Sequence, residues 1–464
     1  MNIFIQNIFL VLLSFCIYTI PFFFEQFFFL ESCFLIPIIY IIYKNKKIPI
    51  YISFLFGFLI SFSSCFGPID FIYSYSSQST YFLFRYLPPL FLPIVVGLYS
   101  LIFFSIFNFV LKIVNNLKLY QQIIIFLLLV YLFFIFLEYF GFLFFGVLIG
   151  CPFLNPVIPI ASNMNYIYLI KYIGLSNYLM MIILSNGILS YIILYKWLNI
   201  IFIIFSILFA FSPYIISFIL SLYIKAELPQ YLNKIKVIQS ELYFFYQDQE
   251  KLSDIINASI KSIMKYYKDT LLILTPELFA SGYNFYKNNS LLLKDLNYDK
   301  LTILFAGDLP HEELNDRVYN CVYHIHNSKL VNCYKKRKLI PFIEFIPEIY
   351  RSSLIKDIFF KYRSEYIHHH NDHEIVKLYL DDNNFQNFVL YICSEFFFNF
   401  NLDDDYNYPI IALCGDFWSK FNYFKKVMYF IARIKALNWN RDIIYITYYY
   451  KYFISKDGFD VKLK

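Results

Sequence analysis

The sequence predicts a polytopic α-helical membrane bundle of about seven spans followed by an α/β domain. Three observations carry that prediction. Of the 464 residues, 59% are hydrophobic and only 16% charged, against roughly 25% charged in an ordinary soluble domain. Apolar runs approaching or exceeding the about 20 residues needed to cross a bilayer follow one another up to Lys225 and then stop. Beyond Lys225, short apolar runs alternate with a segment of helical spacing, the pattern of layered α/β folds. The same composition excludes a disordered chain, a collagen-like chain and a disulfide-rich secreted module. The 58 Phe and 45 Tyr, set against 12 Gly, read as codon bias of an AT-rich genome. Reactive residues that stand out from such a background carry more of the signal.

The predicted spans are 3–24, 27–43, 48–66, 90–113, 123–148, 174–195 and 199–223. The first is too long for a cleaved signal peptide and lacks a small-residue cleavage site, so it reads as an anchor. The fifth contains Glu138, either a functional polar residue or an interfacial one. Lys44, Lys46, Lys47, Lys112, Lys118 and Lys196 follow even-numbered spans, whereas Arg85 and Lys171 lie on the opposite side. The positive-inside rule then places the amino terminus in the cytoplasm and the segment after the seventh span on the outer face.

The division into domains is expected at 1–226 and 227–464. In the second, strands are predicted at 234–239, 271–274, 301–306, 318–325 and 386–392, and a helix at 248–268, where Leu252, Ile255, Ile256, Ile260 and Ile263 share one face. The net charge of +6 is small, and no basic stripe interleaves with aromatics, so nucleic acid is not an expected partner. Eight cysteines without a CxxC pair do not form a disulfide framework. His368, His369, His370 and His373 could hold a metal, but their strand–loop–strand placement favours a solvated turn.

Three apolar strands end on reactive side chains. Leu271–Glu277 ends on a carboxylate, Leu330–Lys336 on an amine and Phe388–Cys393 on a thiol. Strand ends are where layered α/β folds place chemistry, because the sheet fixes the residue that follows. The three types form a consistent set. A carboxylate can take the thiol proton, and a lysine cation can stabilise both a thiolate and the oxyanion of a tetrahedral intermediate. Taken singly, each has a plainer reading: buried filler for Cys393, a helix N-terminal residue for Glu277, a solvated face for Lys336.

The surrounding words resolve the choice. Tyr334-Lys-Lys336-Arg-Lys-Leu-Ile-Pro341-Phe342-Ile-Glu344-Phe-Ile-Pro347 resembles the Tyr-x-Lys-Arg-x-Leu-Val-Pro-Phe-Gly-Glu-Tyr-x-Pro signature of bacterial apolipoprotein N-acyltransferases. Ile392-Cys393-Ser394-Glu395 is similar to the family's Ile-Cys-Tyr-Glu, Pro276-Glu277 to Pro-Glu-Thr, and Ile235–Gln239 to the opening strand of its catalytic domain. Gly415-Asp416-Phe417-Trp418 resembles Asn-Asp-x-Trp-Phe, and Ala432-Arg433-Ile-Lys435-Ala436 resembles Ala-Arg-x-Arg-Ala. These words occur in family order over 227–464.

The resemblance implies a nitrilase-like αββα sandwich of the carbon–nitrogen hydrolase superfamily, on the periplasmic face of a bacterial inner membrane. It implies transfer of the sn-1 acyl chain of a phospholipid, through a thioester, to the α-amine of a lipoprotein's diacylglyceryl-cysteine. Glu277 would be the base, Lys336 the oxyanion-stabilising cation and Cys393 the nucleophile. Glu344 would orient Lys336 and Glu277, Glu395 would shape the turn after the nucleophile, and Trp418 would support the site. The chemistry requires no metal and no cofactor. The implied partners are the phospholipid donor, the diacylglyceryl-apolipoprotein acceptor and the membrane. The segment 345–385 is expected to be mobile, with Phe345, Ile346, Tyr350, Leu354, Phe359 and Phe360 either dipping into the lipid interface or packing in the core. Departures from the family pattern are Ile343, Ser394, Gly415, Asn438 and the loss of the Asn-Thr-Gly turn near Thr447; a C-terminal shortening that removes the family's last span is also expected. Three readings stay open beside this one: a membrane-anchored amidase of the same superfamily, a decayed remnant without activity, and a transporter.

Overall fold

The computed structural model describes residues 3–76, 82–114, 117–141, 143, 150–194, 199–224, 227–238, 249–277, 300–310, 317–340, 344–346, 365–367, 375–380, 385–398, 406–416 and 421–463. Pro341, Ile343, Pro347, Trp418 and the four clustered histidines lie outside that set, as does most of 345–385. The chain divides into two compact units. One comprises 1–224 with 419–438, the other 225–418 with 439–464.

The first unit is helical. α1 (Ile3–Phe23), α3 (Ile50–Ser76), α4 (Phe82–Ile113) and α5 (Leu119–Phe140) alternate with shorter pieces, among them α2 (Ile36–Asn45), and are followed by helices Leu175–Leu194, Ile200–Ala210 and Ser212–Ser221. Among the described residues, five helical segments are long and apolar enough to cross a membrane, and six if the last pair counts as one span. That pair is bent by 55° ahead of Pro213, whose missing N–H and ring favour the first turn of a new helix. The predicted second span is a 3₁₀ segment, Glu25–Ser32, running into α2 rather than one continuous helix.

α3 and α4 approach closely. A Cβ added at Gly57 would lie 2.5 Å from both the Val96 carbonyl oxygen and Ser100 Cβ. Backbone cannot yield as a flexible side chain can, so Gly57→Ala is expected to pry the two helices apart at a cost of about 1–3 kcal/mol. Thermal unfolding in detergent would check this; an unchanged midpoint would contradict it.

Glu138 is buried in the bundle and accepts a hydrogen bond from Asn155 Nδ2 at 3.2 Å. The helix Asn422–Trp439 packs with this unit along most of its length. Lys426 pairs with Glu25 at 2.6 Å, and Arg433 donates to the carbonyls of Ala161 and Ser162 at 3.0 and 2.6 Å. Asn438, a departure in sequence, accepts a hydrogen bond from the Leu175 N–H at 2.9 Å.

The second unit carries two six-stranded sheets. In the first, β1 (Ile235–Val237), β2 (Leu272–Leu274) and β3 (Thr302–Pro310) run parallel, and β4 (Arg317–His326) and β5 (Lys329–Lys335) continue antiparallel. A short β6 (Glu365–Tyr366) pairs with the start of β4. In the second, β8 (Phe385–Ile392), β9 (Ile410–Leu413) and β10 (Ile443–Ile446) run parallel. They are flanked by antiparallel β7 (Ile375–Tyr379) on one side and β11 (Lys451–Ile454) and β12 (Asp460–Lys462) on the other. Ile410–Leu413 and Ile443–Ile446 are buried at every position, as expected of parallel strands covered on both faces. The helix Gln249–Tyr266 inserts Ile260 into a core of Ile238, Ile273, Ile303, Phe305 and Tyr323, with Ile263 packed against it; the side chains of Leu252, Ile255 and Ile256 lie outside the described set.

Candidate active site

Register aligns the strand ends. Ile392, Leu413 and Ile446 are partners across β8, β9 and β10, so Cys393, Cys414 and Thr447 stand side by side just past the sheet edge. Cys393 N–H donates to the Leu413 carbonyl at 2.9 Å and Cys414 N–H to that of Ile446 at 2.8 Å. In the first sheet, the Thr275 hydroxyl accepts from the Ala306 N–H at 2.9 Å, which ties the turn leading to Glu277 to the neighbouring strand.

Glu277, Lys336 and Glu344 meet. Lys336 Nζ donates to Glu277 Oε1 and Glu344 Oε1, both at 2.7 Å, and its side chain is 1% exposed. Burial alone would push the Lys336 ammonium down. The two carboxylates outweigh it and hold the ammonium well above the usual lysine range. Burial raises Glu344, against the pull of Lys336. Glu344 Oε2 also accepts from the Ile340 N–H at 2.7 Å, which fixes its carboxylate from the chain side.

Glu277 is held on every side. Asn320 Nδ2 donates to Oε1 at 2.7 Å, the Gly415 N–H donates to Oε2 at 2.9 Å, and the Tyr448 hydroxyl donates to the Glu277 carbonyl at 3.1 Å. Gly415 and the Thr447 turn, both singled out in the sequence, hold this group. Gly415 contributes a backbone N–H that any residue but proline could supply. The Thr447 turn is tied to Asp416, whose carboxylate accepts from Thr447 Oγ1 at 2.6 Å and the Tyr448 N–H at 3.0 Å. Asn320 and Tyr448 were missed by sequence reasoning. A buried Asn inside the apolar strand Arg317–His326 was the available signal for the first, and the aromatic background hid the second. Asn320 Oδ1 is buried with no hydrogen-bond partner.

Cys393 adopts φ 39° and ψ −99°, a left-handed backbone that non-glycine residues adopt only when their surroundings impose it. Glu395 supplies the restraint. It accepts from the Ile392 N–H at 2.9 Å and from the Tyr334 hydroxyl at 2.9 Å, and Arg337 Nε lies 3.7 Å away. Its carboxyl is raised chiefly by burial. Ser394 Oγ donates to the Lys338 carbonyl, which anchors the turn after Cys393.

The hydrogen bond to Cys414, burial and Glu277 together hold the Cys393 thiol well above the usual cysteine range, with Lys336 opposing them. A nucleophilic role for this residue would then start from a thiol and require a base. Alkylation of Cys393 is expected to be slow at pH 7 and still climbing past the ordinary thiol range, as read by peptide mass; a plateau near neutrality would show a preformed thiolate.

No family model matches this sequence, and no curated protein matches it. Solved structures do. Nit3 of Saccharomyces cerevisiae, a member of branch 10 of the nitrilase superfamily, covers 49% of this chain and 84% of its own, with 15% identity and a TM-score of 0.34. An amidase from Nesterenkonia sp. AN1 covers 52% and 90%, with 10% identity and a TM-score of 0.31. A carbon–nitrogen hydrolase from Helicobacter pylori G27 covers 46% and 72%, with 11% identity and a TM-score of 0.31.

Proposed function

We propose that this chain is an apolipoprotein N-acyltransferase of the carbon–nitrogen hydrolase superfamily. Its helical unit would lie in a bacterial cytoplasmic membrane and its α/β unit on the outer face. The observation that carries the reading is the buried Glu277–Lys336–Glu344 group together with the strained Cys393 at the neighbouring strand ends.

In the first half-reaction Glu277 takes the Cys393 proton. The sulfur attacks the sn-1 ester carbonyl, the C–O bond breaks, and the lysophospholipid leaves as the alcohol with that proton. Lys336 stabilises the oxyanion between bond formation and bond cleavage. In the second, the α-amine of diacylglyceryl-cysteine attacks the thioester. A C–N bond forms, the C–S bond breaks, and the proton lost by nitrogen returns to sulfur through Glu277. Direct aminolysis of an ester is slow at neutral pH, and the thioester divides it into two easier steps. Both substrates are lipid-anchored, so a membrane-mounted site meets them without drawing acyl chains into water.

Incubation of the full-length protein with phospholipid should leave a hydroxylamine-labile acyl group on the Cys393 peptide, and adding a diacylglyceryl-cysteine peptide should remove it as an amide. Free fatty acid with no amide would point to a hydrolase. An unmodified Cys393 would sink the mechanism.

A further inference from the structure

Cys414 is a second thiol at the same strand edge that neither half-reaction uses. Ile392 and Leu413 are register partners on adjacent parallel strands, and neighbouring strands run about 4.8 Å apart. The residues that follow them, Cys393 and Cys414, therefore stand at a spacing inside the range of about 4.4–6.8 Å that a disulfide spans between Cα atoms. Cys393 N–H donates to the Leu413 carbonyl and Cys414 N–H to that of Ile446, so the ladder spacing carries on to both cysteines. Both are free and buried.

We propose that Cys393 and Cys414 form a reversible disulfide when the site meets a peroxide, switching acyl transfer off and shielding the nucleophile from irreversible oxidation. The importance of the switch rests on Cys393 being the nucleophile; the cross-link itself does not. Any path that admits a phospholipid ester to Cys393 admits hydrogen peroxide. The Cys393 thiol loses its proton, and its sulfur attacks one peroxide oxygen. The O–O bond breaks, hydroxide leaves and takes up the proton as water, and sulfur is oxidised to the sulfenic acid. Cys414 sulfur then attacks the sulfenic sulfur. The S–S bond forms, the S–O bond breaks, and a second water leaves with the Cys414 proton. A dithiol reverses the step by exchange.

The test treats the full-length protein in detergent with hydrogen peroxide, alongside Cys414→Ser and Cys414→Ala, and normalises each to its own untreated rate of thioester formation. Wild type should yield the Cys393–Cys414 cross-linked peptide on non-reducing digestion and a loss of thioester formation that dithiothreitol restores. Both variants should instead accumulate sulfinic acid at Cys393 and stay inactive after reduction. Wild type that forms sulfinic acid as fast as the variants, or that forms no cross-link, overturns the proposal. A cross-link in a protein that never acylates Cys393 would retain the disulfide and sink the acyltransferase reading instead.

Discussion

Cys393→Ala is expected to abolish thioester formation, with a fall in acyl transfer on the order of 10⁴-fold or more, as when a covalent nucleophile is removed. The reason is positional as much as chemical. The residue that follows Ile392 is forced into a left-handed backbone by the Glu395 carboxylate and by the Leu413 carbonyl. No other described thiol shares that geometry: Cys414 follows β9 without a positive φ, and Cys321 and Cys333 lie inside strands. Cys414→Ala should therefore still acylate Cys393. Acyl-peptide mass mapping of both variants decides the matter, and equal loss from both would mean that the wrong thiol has been chosen.

Lys336→Met is expected to lose activity and stability together. The substitution removes the cation 2.7 Å from each of two buried carboxylates. Breaking a buried ion pair from one side typically costs about 3–5 kcal/mol, because the charge left behind has neither water nor a partner. The remaining carboxylates would relieve the strain by binding a proton, so the variant should recover stability as pH falls. Combining Lys336→Met with Glu277→Gln and Glu344→Gln should restore most of the thermal midpoint while leaving acyl transfer absent. A single Lys336→Met variant as stable as wild type would mean that water reaches this group freely. A triple variant still as unstable as the single one would assign the loss to packing of the lysine stem.

Much of this was legible in the sequence, and the reasons are physical. Apolar runs and short β-branched strands declare themselves because burial needs them, so the helical and α/β halves could be read directly, with the strands near 235, 272, 302, 317 and 385, whereas β7 and β9 to β12 were not read. Glu277, Lys336 and Cys393 stood out because each closes an apolar run. What could not be read was set by contacts between distant segments. The break between Ser32 and Ile36 and the bend before Pro213 fall in segments whose average hydropathy stays high, and hydropathy is blind to direction. The support given to Glu277 by Asn320, Gly415 and Tyr448 comes from three separate strand regions. Gly415 and Asn438, which read as losses, keep working contacts because one uses its backbone and the other accepts from a backbone N–H.

The helix Asn422–Trp439 joins β9 to β10, yet residues 419–438 belong to the compact unit formed by 1–224. That interleaving has a consequence for biogenesis. The helical unit cannot close until nearly 200 residues of the other unit have been synthesised, and the second sheet cannot add β10 until that helix has been laid down. Contacts so far apart in sequence form slowly, and neither unit can mature as an independent folding module. Assembly of the helical unit and completion of the second sheet are thereby coupled in time, so a chain that fails to assemble the first should also fail to complete the second.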